Sequence, residues 1–278
     1  MLELLKIVIL LVFAFVYAYF DIFNKRNIPN KFAYLSLAFG IFFTFLNPMG
    51  IILYSLIIAA FILASGYLLY KGGLLGLGDG FEFAFISLML PVQPQPVLGV
   101  QQFGLPFALS VFVSSGIVAI VAIPLYYILK TKKSDINIRS IEMASLVFVS
   151  YLLLLMVFLV FGAGLIAIAL ILVIAFFSAL LFLVEGTLKK AMVRWVYPKE
   201  LDDGDIIAVN LLSKNEFSFF KSKSKHFGKL VDTKNMNELK RIKKKLPVYK
   251  NAVPFSVFIL AGAIVALVLG NPLLLIFI

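Results

Sequence analysis

Two aspartates are the residues of this chain whose type and position best suit chemistry. Asp21 closes an apolar run that ends in Tyr19-Phe20-Asp21, and Asp79 follows Gly76-Leu77-Gly78 just ahead of another apolar run. An ionisable side chain at the edge of a bilayer is costly, so a membrane protein that keeps one generally uses it. Two carboxylates at the same depth can share a proton and activate water. The pair is therefore the candidate catalytic centre.

The composition is typical of a membrane protein. Hydrophobic residues make up 62% of the 278 residues and charged residues 14%, with a mean hydropathy of +1.05, which is unlike a soluble globular chain. The absence of cysteine excludes disulfides, thiol nucleophiles and thiolate metal sites. The single histidine, His226, lies in a Lys- and Ser-rich stretch, which argues against a histidine metal cluster and a membrane-embedded Ser–His pair. The sequence predicts neither a metal nor another cofactor.

Apolar segments of helical length predict an all-α polytopic membrane protein with about eight transmembrane segments, or six to eight because two segments are short. A break at Gly162-Ala163-Gly164 divides one long run into two. The first segment lacks a basic region ahead of it and a cleavage site of small residues behind it, so it is expected to be a retained helix. The predicted segments are residues 3–20, 33–46, 51–70, 80–91, 105–129, 143–162, 165–184 and 253–277.

The distribution of Lys and Arg predicts the orientation. If the N-terminus lies outside and the segments alternate, all but Lys6 of the 25 Lys and Arg fall in the inner loops, as the positive-inside rule requires. Asp21 and Asp79 then share one depth at the cytosolic face of the cell membrane. Three parts result, namely a membrane domain over 1–184, a cytosolic insertion over 185–252 and a C-terminal transmembrane helix over 253–278.

The insertion is expected to be a small α+β unit. Residues 205–212 read as a strand, and residues 235–245 as a helix. The insertion holds twice as many Lys and Arg as Asp and Glu, which favours contact with the anionic inner leaflet of the bilayer. No base-reading motif accompanies the charge, so nucleic acid is not an expected partner.

Glycines crowd the approach to the second aspartate. The run from Gly72 to Gly80 includes Gly76 and Gly78, and predicts an irregular loop in which an extended substrate backbone can come close to Asp79. A flexible connector between helices is the alternative. Asp21 has its own structural alternative, which is to cap the next segment or to pair with Lys25 or Arg26.

One combination of motifs resembles a known family. Asp21 at the end of the first segment, then Arg26 and Ile28-Pro29-Asn30, then Gly76-Leu77-Gly78-Asp79, resembles the type IV prepilin peptidases, and most of all their archaeal branch with the preflagellin (archaellin) peptidases. These are membrane aspartic endopeptidases of the GxGD type, which remove the short basic leader of pilin-like or archaellin precursors at the cytoplasmic face. The resemblance covers about the first 90 residues and implies that Asp21 and Asp79 are catalytic and that such precursors are the partners.

The chain also departs from that family, and other classes of protein remain open. It lacks the cysteine-rich region that many bacterial relatives carry, and Phe81 stands where those relatives often have Lys. Glu82 could attract a basic leader, pair with Lys71 or face a water-filled cavity. The rival class is an ion or proton-coupled transporter that uses the same carboxylates, and a membrane anchor for the insertion is a third interpretation.

Overall fold

The computed structural model describes most of the chain and is predominantly helical. The described residues are 1–24, 27–72, 75–98, 105–130, 138–160, 164–202, 204–224, 227–231, 233–250, 253–272 and 274. The predicted break at Gly162-Ala163-Gly164 lies largely outside them, as does His226. A helix is present in each of the eight predicted apolar segments: α1 Leu2–Phe23, α2 Asn30–Thr44, α3 Met49–Lys71, α4 Leu77–Met89, α5 Phe107–Lys130, α6 Ile138–Val160, α7 Leu165–Leu183 and, last in the chain, α11 Phe255–Leu269.

Within the described residues, four of these helices (α1, α3, α5 and α6) are long and apolar enough to cross a membrane. A fifth candidate is α7 taken together with the short helix α8, Glu185–Met192, which follows it at a bend of 61°. At a rise of about 1.5 Å per residue, α4 with its 13 residues is about 20 Å long, less than the hydrocarbon core of about 30 Å. The helical membrane character that the sequence predicts is confirmed at this level.

The fourth helix, α4, lies at the centre of the helical bundle. From Asp79 to Met89 every residue except Phe81 is buried, and α4 contacts α1, α2, α3, α5 and α11. A helix that is buried on all sides has no polar face, which is why α4 beyond Glu82 is apolar except for Ser87, and the Ser87 hydroxyl donates to the carbonyl of Ala84 within the helix. The α6–α7 pair packs onto the rest of the bundle through α7 and α5. The bundle therefore holds the N-terminal turn of α4 from several directions at once.

Close contacts between helices depend on small residues. A Cβ added to Gly80 of α4 would lie 3.4 Å from the Cα atom of Gly66 in α3, so these two glycines let the helix backbones touch. A Cβ on Gly262 of α11 would collide with Ser115 of α5. Small residues at such crossings are the usual means of close helix packing within membranes.

Residues 185–250 form the hydrophilic part of the chain. Its two strands, β1 Arg194–Val196 and β2 Leu246–Val248, pair antiparallel, and its helices α9 Lys214–Lys223 and α10 Thr233–Leu239 lie between them in sequence. It has its own apolar core, which includes Ile207, Phe220, Val231, Leu239 and Leu246.

Of the elements predicted for this hydrophilic part, the strand is wrong and the helix is only partly present. Residues 205–212 do not form a strand, because Ile206 and Ile207 make only isolated bridges and a 3-10 helix follows at Val209–Leu211. The predicted helix over 235–245 ends at Leu239. Leu246 and Val248 are drawn into the core as a strand, and Pro247 between them cannot continue a helix.

Candidate active site

Asp21 lies in the last turn of α1 and is buried, with 7% of its surface exposed. Its Oδ2 atom accepts a hydrogen bond of 2.9 Å from the backbone N–H of Ser256. Ser256 is the second residue of α11, and the first N–H groups of a helix have no partner within it. Asp21 therefore caps a helix that begins more than 200 residues later in the chain.

Asp79 lies inside the first turn of α4, with 8% of its surface exposed. Its Oδ2 atom accepts the backbone N–H of Gly76 at 3.1 Å, and its Oδ1 atom accepts the hydroxyl of Ser256 in a long hydrogen bond of 3.4 Å. Gly76 is the N-cap residue of α4. The sequence predicted that the helix begins after Asp79, but α4 begins at Leu77 and includes Asp79 in its first turn. The reason is that the Asp79 side chain accepts the N–H of the N-cap residue and so helps to start the helix.

Ser256 thus joins the two aspartates. Its N–H donates to Asp21 and its hydroxyl donates to Asp79, so the carboxylates stand on either side of one small residue where α1, α4 and α11 meet. Asp79 lies in the first turn of α4, and Asp21, at the end of α1, contacts the N-terminus of α11. At both N-termini the partial positive charge of the backbone N–H groups favours an anion. The structure brings together the two residues that the sequence singled out, in a state that is nearly closed to solvent.

A third carboxyl, that of Glu82, lies one helical turn deeper on α4. It is completely buried, and among the described residues neither of its oxygens has a hydrogen-bond partner. It interacts electrostatically with Asp79 and Asp21 and lies near the Ser256 side chain. The interpretation that Glu82 pairs with Lys71 is wrong, since the lysine is exposed and stands over the ring of Tyr67.

Polar side chains continue below the aspartates along the inner face of α1. Tyr17 is fully buried and interacts with Glu82. Its hydroxyl and that of Ser36 in α2 share a hydrogen bond of 2.6 Å, and Ser36 in turn donates to the carbonyl of Ala33. Together with Glu82, these groups extend the site about one to two helical turns into the bundle.

The glycines near Asp79 do not form the open loop that the sequence predicted. The helix α4 already begins at Leu77, so Gly78 and Gly80 lie in its first turn and Gly76 is its N-cap residue. A Cβ on Gly78 would collide with Ile28, and Gly80 faces Gly66 as described above. Close packing therefore explains both glycines, and the contact of Gly78 with Ile28 ties together two of the motifs named in the sequence.

Sequence reasoning missed Ser256. The available signal was local, because Pro254-Phe255-Ser256 opens the last helix directly after a basic stretch, and proline at such a position marks a helix start. Nothing in that signal indicates that Asp21 would reach the free N–H group. No group of His, Cys, Asp or Glu in the described part of the chain is arranged to hold a metal ion.

Comparison with known proteins gives no relative. No protein-family model, no curated protein and no solved structure matches the chain.

Proposed function

We propose that this chain is a membrane-embedded aspartic endopeptidase that removes the short basic leader of type IV pilin-like or archaellin precursors at the cytoplasmic face. The observation that carries the proposal is the link through Ser256, which holds Asp21 and Asp79 side by side in a buried site. Two carboxylates in such proximity cannot both ionise cheaply and therefore titrate as a pair. One ionised and one protonated carboxyl is the arrangement that hydrolysis of a peptide bond requires.

The reaction proceeds without a covalent intermediate. The ionised aspartate takes a proton from water as the water oxygen attacks the scissile carbonyl carbon, and the protonated aspartate gives its proton to the carbonyl oxygen. The tetrahedral gem-diol collapses with cleavage of the C–N bond: the leaving amine takes a proton from the carboxyl that had accepted one, and a gem-diol hydroxyl returns a proton to the other aspartate, which restores the starting pair. Because both carboxyls are now tied to Ser256, substrate entry has to displace its hydroxyl from Asp79 to admit water.

The proposed setting is a multi-pass protein with its N-terminus outside and both aspartates at the inner face. The shorter helices α2, α4 and α11 would then complete a bundle of up to eight membrane segments. The basic residues of 185–252 would face the anionic inner leaflet, and a precursor's Lys- and Arg-rich leader would stay in the cytosol while its hydrophobic segment lies in the bilayer.

The rival function is an ion or proton-coupled transporter, and the burial of Glu82 inside the bundle is the observation in its favour. The buried face of α1 offers it no polar route, however. Between Tyr17 and Lys6, near the two ends of that helix, the buried side chains are those of Ala14 and Leu10. The peptidase accounts for the paired aspartates without requiring such a route.

The test uses purified protein in detergent with a precursor that carries a basic leader and a hydrophobic helix, followed by mass spectrometry of the products. We expect one cut between the leader and the hydrophobic segment, and none with Asp79→Asn. Failure to cut any such precursor, together with ion flux in liposomes that Asp79→Asn abolishes, would favour the transporter instead.

A further inference from the structure

Glu82 is the one buried carboxyl of the site to which the proposed reaction gives no part. It is 0% exposed, and among the described residues neither oxygen of its side chain is hydrogen-bonded. An ionised carboxylate without a partner in an apolar interior is very costly, and such a group generally stays neutral. A packing role alone does not require a carboxyl at this position, because an apolar residue of similar size would fill it without that cost.

Its surroundings define what a neutral Glu82 can do. The groups that face it are Asp79 on its own helix, Asp21 and Tyr17 on α1, and the hydroxyl of Ser256 on α11. The buried residues of α2 and α3 contain no charged side chain, and neither does α5 ahead of its last residue. None of these groups in the described part of the chain is a cation, so the side-chain acceptors available to the Glu82 proton are the two aspartates and the hydroxyls of Ser256 and Tyr17.

From this arrangement we propose that Glu82 is a positioning residue. Its side chain makes no hydrogen bond with the described residues in the closed state, and when substrate enters it becomes a neutral hydrogen-bond donor towards Asp79, directly or through Ser256, and so stabilises Asp79 as the ionised member of the pair. The spacing fits, because residues three apart on a helix lie on the same face. When substrate displaces the Ser256 hydroxyl, the Glu82 proton replaces the lost donor at Asp79. Asp21 then keeps the shared proton and acts as the acid. The inference rests on the proposed peptidase function.

Two variants of Glu82 separate the possible roles. Glu82→Gln keeps a neutral donor of nearly the same shape, whereas Glu82→Leu removes the donor. If Glu82 donates while neutral, the Leu variant moves the acidic limb of the pH-activity profile to higher pH by about one to two units, and the Gln variant leaves the limb nearly in place. If Glu82 is instead ionised, both variants lose a negative charge and the limb moves to lower pH. If the acidic limb of the pH-activity profile stays in place in both variants, Glu82 serves only for packing. Either of these two results overturns the proposal.

An infrared measurement tests the protonation without using the protease activity. The difference spectrum of wild type minus Glu82→Gln at neutral pH should show loss of a protonated carboxylic acid C=O band, and loss of carboxylate bands instead would overturn the proposal. Thermal melting in detergent shows whether each variant is folded. If wild type cuts no precursor while the acid band is present, the peptidase function fails and the neutral state of Glu82 stands. If wild type cuts and the band is absent, only the inference about Glu82 fails.

Discussion

Carboxylates of the hydrophilic part pair with a cation near water, whereas those of the candidate active site in the helical bundle are buried beside one another. Asp202 and Asp205 both bind the ammonium of Lys250, at 3.0 and 2.6 Å, and Asp202 remains largely exposed. Burial lowers the pKa of Lys250, but the two ion pairs outweigh burial and hold that pKa above its ordinary value. In contrast, Asp79 is buried and accepts only from Gly76 and Ser256 among the described residues, with other carboxyls as its charged neighbours.

This contrast separates two reasons for keeping an acidic residue. A carboxylate that pairs with a cation near water contributes a modest amount to stability. Carboxyls buried beside one another oppose folding, and such clusters of perturbed groups concentrate at functional sites. The helix caps that Asp21 and Asp79 provide explain why one carboxylate is tolerated at each place. They do not explain why Glu82 is added next to them.

The largest expected effect is on cleavage. Asp21→Asn and Asp79→Asn keep an oxygen acceptor for the helix caps but remove the ionisable group, so each should lower precursor cleavage by at least about a thousandfold. The double variant should be no worse than either one, because the two residues act as a unit. Initial rates measured by mass spectrometry check this, with Asp202→Asn as the matched control that should cleave normally. Near-normal cleavage by either single variant would show that Asp21 and Asp79 are not a catalytic pair.

The sequence predicted the helices and the pair of aspartates because hydropathy and charge are local properties. Eight apolar runs coincide with helices, but whether a helix is long enough to span a membrane depends on where its caps fall, and α4 starts at Leu77 because the Asp79 side chain caps it. The role of Gly80 could not be predicted either, since the residue is needed for a close contact with Gly66 on another helix. Ser256 lies 235 residues from Asp21, and no local sequence pattern predicts a hydrogen bond between residues so far apart in the chain.

The next largest effect should come from the glycine contact that places Asp79. In Gly80→Val the added methyl groups meet the α3 backbone at Gly66, which should displace the first turn of α4. We expect a loss of about 1–3 kcal/mol in the free energy of unfolding and a roughly hundredfold loss of cleavage from misplacement of Asp79. Gly50→Val is the control, because nothing lies within 4 Å of a Cβ there. Equal effects of the two substitutions would show that the contact does not position the site.

The two classes of carboxylate should also differ in the sign of their effect on stability. Lys250→Ala leaves Asp202 and Asp205 without their cation and should lower the free energy of unfolding by about 0.5–1 kcal/mol. Asp79→Asn removes a charge from beside Asp21, so the melting temperature in detergent should be equal to or above that of wild type. A clear loss of stability in Asp79→Asn would mean that the ionised aspartate serves mainly as a structural cap.

The smallest effect should be a response to acid that is confined to the hydrophilic part. The backbone N–H of Ser213 donates to Glu216, as does its hydroxyl, and the Lys244 ammonium pairs with the same carboxylate at 3.0 Å. These contacts hold the pKa of Glu216 below its ordinary value. A carboxyl whose pKa is lower in the folded state stabilises that state above its ordinary pKa, and the contribution is lost as the pH falls through the folded value.

Trp195 gives this response a local readout, because it is the only tryptophan of the chain and lies in β1. Denaturant titrations followed by its fluorescence should show a midpoint that falls below about pH 4.5. In Glu216→Gln the midpoint at neutral pH should be slightly lower and its fall in acid smaller, because the titrating group is gone. The same fall in acid in both proteins would assign the response to other carboxylates, and Asp202 and Asp205 would be the next to substitute.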